Sequence, residues 1–262
     1  MPAFKKYYSK CHVLTFNMPI PQLGVSSRRI WIYLPPGYRE TEKKYSVLYM
    51  HDGQNLFDKS TSYCGEWSVG RSINALVKAG LHPGVIVVGI DNGGPTRGDE
   101  YSPWKGIDVI NPKGEQYVRF IIETLKPFID INLRTLPDRK HTGIAGSSAG
   151  GIISFFAAVK YPNVFGRAGI FSPSFWYSWD KVQAFLKKAD LRSGLRVYLD
   201  IGTKEEDRPE DYLRCAEALS KIFAKKEGVK LKFIIDEGAP HHEDAWARRF
   251  PDAFRWLFAR NS

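Results

Sequence analysis

Gly146-Ser147-Ser148-Ala149-Gly150 is the single G-x-S-x-G pentapeptide of the sequence. A serine hydroxyl is a weak nucleophile. Using one for hydrolysis takes a turn that exposes it, a base beside it, and donors for the oxyanion its attack creates. The pentapeptide can supply the turn. HTGIAG before it reads as a short strand and AGGIISFFAAVKY after it as helix, the strand–turn–helix in which a nucleophile elbow is built. Two serines compete for the role. With Ser147 as nucleophile the glycine positions fall on Ala145 and Ala149; with Ser148 they fall on Gly146 and Gly150. A tight turn needs residues without Cβ at those positions, so the register selects Ser148.

In this arrangement the acid and then the histidine follow the serine along the chain. Of the six histidines, His241 and His242 lie downstream of Ser148, after the strand-like run KLKFIID and the turn EGAP. The preceding strand-like run, LRVYLDI, leads into GTKEED. Glu205, Glu206 and Asp207 are therefore all candidates for the acid that would hold the imidazole tautomer and stabilise the imidazolium. The oxyanion donors should be the Ala149 N–H, directly after the nucleophile, and the N–H of Gln54, which follows SVLYMHDG. Aromatic side chains that could stack on a sugar or phenyl ring gather in the loops SPSFWYSW and GIDNGGPTRGDEYSPW, where Trp176 and Trp104 are the candidate substrate contacts.

Eight predicted strands carry these loops: Cys11–Met18, Arg28–Leu34, Ser46–His51, Val85–Asp91, His141–Ser147, Arg167–Ser172, Leu195–Ile201 and Lys230–Asp236. Ile30, Ile32 and Leu34 alternate with Trp31 and Tyr33, as in an antiparallel strand, whereas VIVVGI is continuously apolar, as in a buried parallel one. Helical patterns run over Gly114–Asp130, where Pro127 should bend or end the helix, and over Ala149–Tyr161 and Pro209–Glu227. A last one opens at Pro251 and runs to about Arg260. Strand–helix alternation predicts an α/β fold. Its central sheet of about eight strands would be mostly parallel with helices on both faces, and the chemistry would lie beyond the carboxyl ends of the strands.

The composition fits an ordinary globular chain of 262 residues, 43% hydrophobic and 25% charged, and residues 1–262 read as one domain. No run is long and apolar enough for a membrane span, and no h-region follows the N-terminal lysines, so a cytoplasmic location is expected. The net charge of +10 is spread along the chain and does not call for nucleic acid. Cys11, Cys64 and Cys215 are odd in number and far apart, which speaks against a disulfide framework or a zinc site. No Walker A loop, GxGxxG or HExxH occurs. No cofactor and no metal are expected, and the oligomeric state stays open.

Five segments, RRIWIYLPPGY, KYSVLYMHDGQNLFD, GIAGSSAGG, YLDIGTKEED and GAPHHEDAW, resemble the esterase family that includes esterase D, enterochelin esterase and the feruloyl and acetyl-xylan esterases. The resemblance implies an α/β-hydrolase fold and an acyl-enzyme mechanism. It implies that the acid stands one residue beyond a Gly-Thr pair, at Glu205, and that the histidine of an H-x-x-x-x-W pattern is His241. It matches Gly53 to the glycine before the oxyanion donor, and places the loop bearing Trp176 at the acyl pocket. It further implies esters of feruloyl or acetyl groups with carbohydrates as substrates, with a siderophore ester or acyl transfer as the alternatives.

Overall fold

The computed structural model describes residues 5–8, 12–107, 109–191 and 194–259. Nine strands among them form one sheet: β1 (Lys5–Tyr8), β2 (His12–Ile20), β3 (Val25–Tyr33), β4 (Val47–His51), β5 (Ile86–Ile90), β6 (Thr142–Ser147), β7 (Arg167–Phe171), β8 (Arg196–Lys204) and β9 (Lys230–Pro240). Their order is β1-β2-β3-β5-β4-β6-β7-β8-β9. The first three are antiparallel, β3 pairs antiparallel with β5, and β5-β4-β6-β7-β8-β9 are parallel. From β4 the chain moves to β5 on one side and then to β6 on the other. The carboxyl ends of β4 and β6 therefore flank the switch point at which α/β sheets hold their ligands.

Alternation along the strands splits the core in two. Ile30, Ile32, Val47, Tyr49, Val88, Ile144, Ile170 and Leu199 face one side. There they meet α3 (Gly114–Phe120), α4 (Lys126–Asn132), α5 (Ala149–Lys160), α6 (Trp179–Lys188) and α7 (Pro209–Ala224). Trp31, Tyr33, Leu48, Met50, Val87, Ala145, Phe171 and Tyr198 face the other side, against α1 (Val69–Lys78) and α8 (Glu243–Leu257). The short α2 (Arg97–Tyr101) contacts α3 and α5. Helix α5 is buried on almost every side, which explains its small residues and its near-absence of polar ones. No helix among the described residues is long and apolar enough to cross a membrane.

The mostly parallel sheet with helices on both faces agrees with the expected α/β-hydrolase fold. The sequence reading missed β1 and assigned no helix to α1 or α6, and α2 falls in a segment read as loop. Cys11, the predicted start of the first strand, and Arg260, the predicted end of the last helix, lie outside the described residues. The two proline readings fare differently. Pro127 does not end its helix: α3 widens into a π-helical turn over Ile121–Leu125, and Pro127 then sits in the first turn of α4, where its missing N–H costs little. Pro251 does not open the last helix but lies inside α8, which begins at Glu243. The buried stripe of Trp246, Phe250, Phe254 and Leu257 carries α8 through the lost backbone bond.

Candidate active site

Ser148 leaves β6 with φ 58° and ψ −124°, a conformation that residues with a side chain seldom adopt. Its N–H donates to the Phe171 carbonyl at 3.0 Å, and its own carbonyl accepts from the N–H groups of Gly151 and Ile152 in the first turn of α5. These bonds hold the strained residue at the strand–helix junction. Ser147 remains within β6 and is buried. A Cβ on Gly146 would lie 2.9 Å from His51 Cδ2 and 3.0 Å from the Gly150 backbone, so this glycine is required by close approach. At Gly150 the nearest atom would be 3.4 Å away, and the requirement is weaker. His51 forms the floor beneath the turn. Burial lowers its pKa to about 3, and its Nδ1 lies 3.0 Å from the Tyr117 hydroxyl.

The pairing of β8 with β9 brings Glu205 and His241 together. Their register shifts between Gly202 and Lys204, after which Lys204 lies opposite Pro240. The first residue beyond each strand is Glu205 and His241, and Glu205 Oε2 stands 2.5 Å from His241 Nδ1. Glu205 is fully buried, while Glu206 and Asp207 are exposed. The other Glu205 oxygen accepts from the Gly202 N–H and the Ser172 hydroxyl, each at 2.6 Å. The Ser172 oxygen in turn accepts from Trp246 Nε1 at 3.0 Å and Arg249 Nη2 at 2.9 Å. With both oxygens engaged, the carboxylate is locked in one orientation. Trp246, the tryptophan of the H-x-x-x-x-W pattern, thus anchors this network and also sets its ring edge-on to the His241 ring, centroids 5.0 Å apart. His242 does something different and caps α8, its Nδ1 accepting from the Asp244 N–H.

Gly202 makes this arrangement possible. A Cβ there would meet the Ala239 carbonyl oxygen at 2.2 Å and Glu205 Oε1 at 2.9 Å. Gly202→Ala must therefore push β9 from β8 at the level of the Glu205–His241 pair. Misplacement of reacting groups by about 1 Å costs roughly 100-fold in rate, and kcat of this variant is expected to fall by about that factor. Steady-state assays alongside thermal melting check the result; a well-folded variant with wild-type kcat would show that the pair tolerates displacement.

Gln54 and Ala149 lie just beyond the carboxyl ends of β4 and β6, the two strands flanking the switch point. Gln54 lies in a 3₁₀ turn, Gly53–Asn55, whose first internal backbone bond comes from the Asn55 N–H. Ala149 is the first residue of α5. Each N–H therefore precedes the bonded part of its helix and is available to an incoming oxygen. Asp52 holds the Gln54 loop: its φ is 53°, its carboxylate takes two bonds from Arg97 at 2.8 Å, and Asn92 Nδ2 adds a third at 2.6 Å. A groove of about 590 Å3 opens beside Gln54, lined by Tyr63, Asn92, Arg29 and Arg97 among others.

Of the two tryptophans singled out from the sequence, Trp176 lies near the other site residues. Its ring is 6.1 Å from that of Tyr212, which is itself 5.2 Å from the His241 ring, and the Arg208 guanidinium sits over it at 4.9 Å. Trp104 meets Phe156 and Phe185 edge-on, in the packing around α5 and α6.

Three residues of the neighbourhood had no sequence signal for a role there: Ser172, which holds Glu205, and Ser174 and Tyr212. The Ser148 hydroxyl lies 3.0 Å from Ser174 Oγ, and Ser174 Oγ lies 2.9 Å from the Tyr212 hydroxyl. That hydroxyl donates to Glu206 Oε2 at 3.0 Å. In this arrangement no direct hydrogen bond joins Ser148 to His241 among the described residues. Bonds of this kind often tighten only when substrate is bound.

The esterase family described as "Putative esterase" matches residues 25–257, and the chain belongs to it. The chain is 28% identical over 250 residues to the uncharacterised protein YbbA of Bacillus subtilis, covering 90% of this chain and 94% of that one. It is 25% identical over 235 residues to an endo-1,4-beta-xylanase/feruloyl esterase of Xylanibacter ruminicola. That match takes in 87% of this chain and 29% of the longer relative. Among solved structures, the BES protein from Bacillus cereus superposes with a TM-score of 0.78 at 20% identity, covering 98% of both chains. The enterobactin esterase of Shigella flexneri superposes with a TM-score of 0.70 at 18% identity, covering 98% of this chain and 58% of that one. At such identities the structural likeness is one of fold. Together with the family, it makes the protein an esterase of the α/β-hydrolase type.

Proposed function

We propose that this esterase works through an acyl-enzyme, with Ser148 as nucleophile, His241 as general base and then acid, and Glu205 as the group that orients His241. The observation that carries the proposal is the Glu205–His241 pair at 2.5 Å, in a chain whose one elbow serine is strained to φ 58°. In the first step Ser148 Oγ bonds to the ester carbon as its proton passes to His241 Nε2. The carbonyl electrons move onto the oxygen, which the Gln54 and Ala149 N–H groups would receive. Collapse of this intermediate expels the alcohol, protonated by His241, and water repeats the sequence to free the acid. Each residue needs only the proton chemistry of its own side chain, so no metal or cofactor enters the scheme.

The substrate we propose is a feruloyl or acetyl ester of a carbohydrate. The groove beside Gln54 combines the fully exposed ring of Tyr63 with the polar Asn92, a lining that suits a sugar or a phenolic ring better than an alkyl chain. Its two cations are already matched, Arg29 to Asp91 and Arg97 to Asp52, which favours an uncharged ester over a polyanionic ferric catecholate. The relative from Xylanibacter ruminicola, named as a feruloyl esterase, points the same way. The test is kcat/KM across methyl ferulate, acetylated xylo-oligosaccharides, ferric enterobactin and p-nitrophenyl palmitate. Ferulate or acetyl-xylan should lead. Preference for enterobactin or palmitate would overturn the carbohydrate assignment, and faster acyl transfer to an added alcohol than to water would make the protein an acyltransferase.

A further inference from the structure

A carboxylate accepts hydrogen bonds and donates none, so the row of hydroxyls that ends on Glu206 has a direction. Tyr212 donates to Glu206, Ser174 is left to donate to Tyr212, and Ser148 to Ser174. Ser174 and Tyr212 are buried, 4% and 1% exposed, and burial raises the Tyr212 pKa above its ordinary value, which keeps the phenol neutral. The row ends on a half-exposed carboxylate that also faces His241. The second Glu206 oxygen lies 3.7 Å from His241 Nε2, the nitrogen opposite the one that Glu205 holds. Glu205 and Glu206, adjacent in sequence, thus approach one imidazole from its two nitrogens. The backbone bends to allow it: Glu206 has φ 37°, in the left-handed region that a residue with a side chain enters only at a cost.

We infer that Glu206 is a second functional carboxylate of this site, tied through Tyr212 and Ser174 to the Ser148 hydroxyl and set across His241 from Glu205. This rests on the ester-hydrolysis reading above. Glu206 is a positioning residue with an electrostatic effect. The hydroxyl row keeps Ser148 Oγ in one place before attack. While the imidazole is neutral, Nε2 presents a lone pair, and 3.7 Å is too long for a hydrogen bond. When the Ser148 proton reaches Nε2, the ring becomes a cation with its new N–H beside the Glu206 carboxylate. The attraction therefore arises mainly as the tetrahedral intermediate forms, which makes it an interaction that lowers the barrier without tightening substrate binding. The Glu206 side chain is 54% exposed, so the effect is screened and modest.

The variants are Glu206→Gln, Tyr212→Phe and the two combined, assayed with p-nitrophenyl acetate and by the rate at which diisopropyl fluorophosphate inactivates the enzyme. Glu206→Gln removes the charge and keeps an acceptor for Tyr212. It should lower kcat and the inactivation rate by about tenfold, equivalent to about 1.4 kcal/mol of barrier, with KM within about twofold and melting temperature unchanged. Tyr212→Phe unties Glu206 and should cost a similar factor; Glu206→Gln added to it should cost under about twofold more, since the charge acts on His241 only while Tyr212 holds it there. Full kcat in Glu206→Gln, a change confined to KM, or multiplicative losses in the combined variant would overturn the inference. Ser148→Ala separates the two readings. Turnover surviving it removes the nucleophile assignment, whereas an inactive Ser148→Ala beside an unimpaired Glu206→Gln removes only the role of Glu206.

Discussion

Ser148→Ala is expected to lower kcat on p-nitrophenyl acetate by on the order of 10⁵-fold or more, the loss seen when a serine nucleophile acting in concert with its base is deleted. The variant should fold as well as the parent, because alanine meets the same backbone strain at φ 58° that serine does, and the bond from its N–H to Phe171 is kept. The control is the neighbouring serine. Ser147 is 5% exposed within β6, so Ser147→Ala removes a hydroxyl from the strand and should leave kcat within a few-fold. The comparison decides the register of the pentapeptide. Turnover that persists in Ser148→Ala and disappears in Ser147→Ala would place the nucleophile one residue earlier, where Ala145 and Ala149 would stand in the glycine positions.

Glu205→Gln is expected to cost 10³- to 10⁴-fold in kcat, the scale on which a histidine held in the wrong tautomer loses its catalytic power. The surroundings of Glu205 explain why an amide cannot substitute. One carboxylate oxygen already receives the Gly202 N–H and the Ser172 hydroxyl at 2.6 Å, so the amide oxygen must take that position. The amide nitrogen then faces His241 Nδ1 and donates to it, which moves the ring proton to Nε2. An imidazole in that tautomer cannot accept the proton of Ser148. Asp207 is exposed, and Asp207→Asn should be close to neutral; Glu206→Gln should fall between the two. Steady-state kcat for the three variants checks the ranking, and the assignment fails if Asp207→Asn is the most damaging.

Much of this site was legible in the sequence because its main signals are local. An elbow needs a strand, a few small residues and a helix in succession, and all of them lie between His141 and Tyr161. The parallel sheet follows from alternating strand and helix patterns. Once the sheet is inferred, the loops after β4, β6, β8 and β9 must share one edge, which brings Gln54, Ser148, Glu205 and His241 to the same end of the molecule. Local pattern also misled where packing overrode it: the apolar stripe of α8 against the sheet keeps Pro251 inside a helix that the proline by itself would have begun.

Residue pattern left the three consecutive acids open and the family resemblance pointed to Glu205; the tertiary structure gives them different surroundings, with Glu205 buried against His241 and Glu206 and Asp207 exposed. Sequence places Glu205, Glu206 and Asp207 in one loop, but their environments depend on the register shift that sets Lys204 against Pro240 and on Gly202, which lets β9 approach. These contacts join residues 36 apart, Glu205 and His241, and no window of sequence contains them. The row from Ser148 through Ser174 and Tyr212 to Glu206 is of the same kind. Its members come from the ends of β6 and β7, from α7 and from the loop after β8, and each alone is an ordinary polar residue. Chain order and residue type determined which groups could do the chemistry. The distances between their atoms, over which hydrogen bonding and Coulomb attraction fall away within a few ångströms, were decided by how the strands and helices pack.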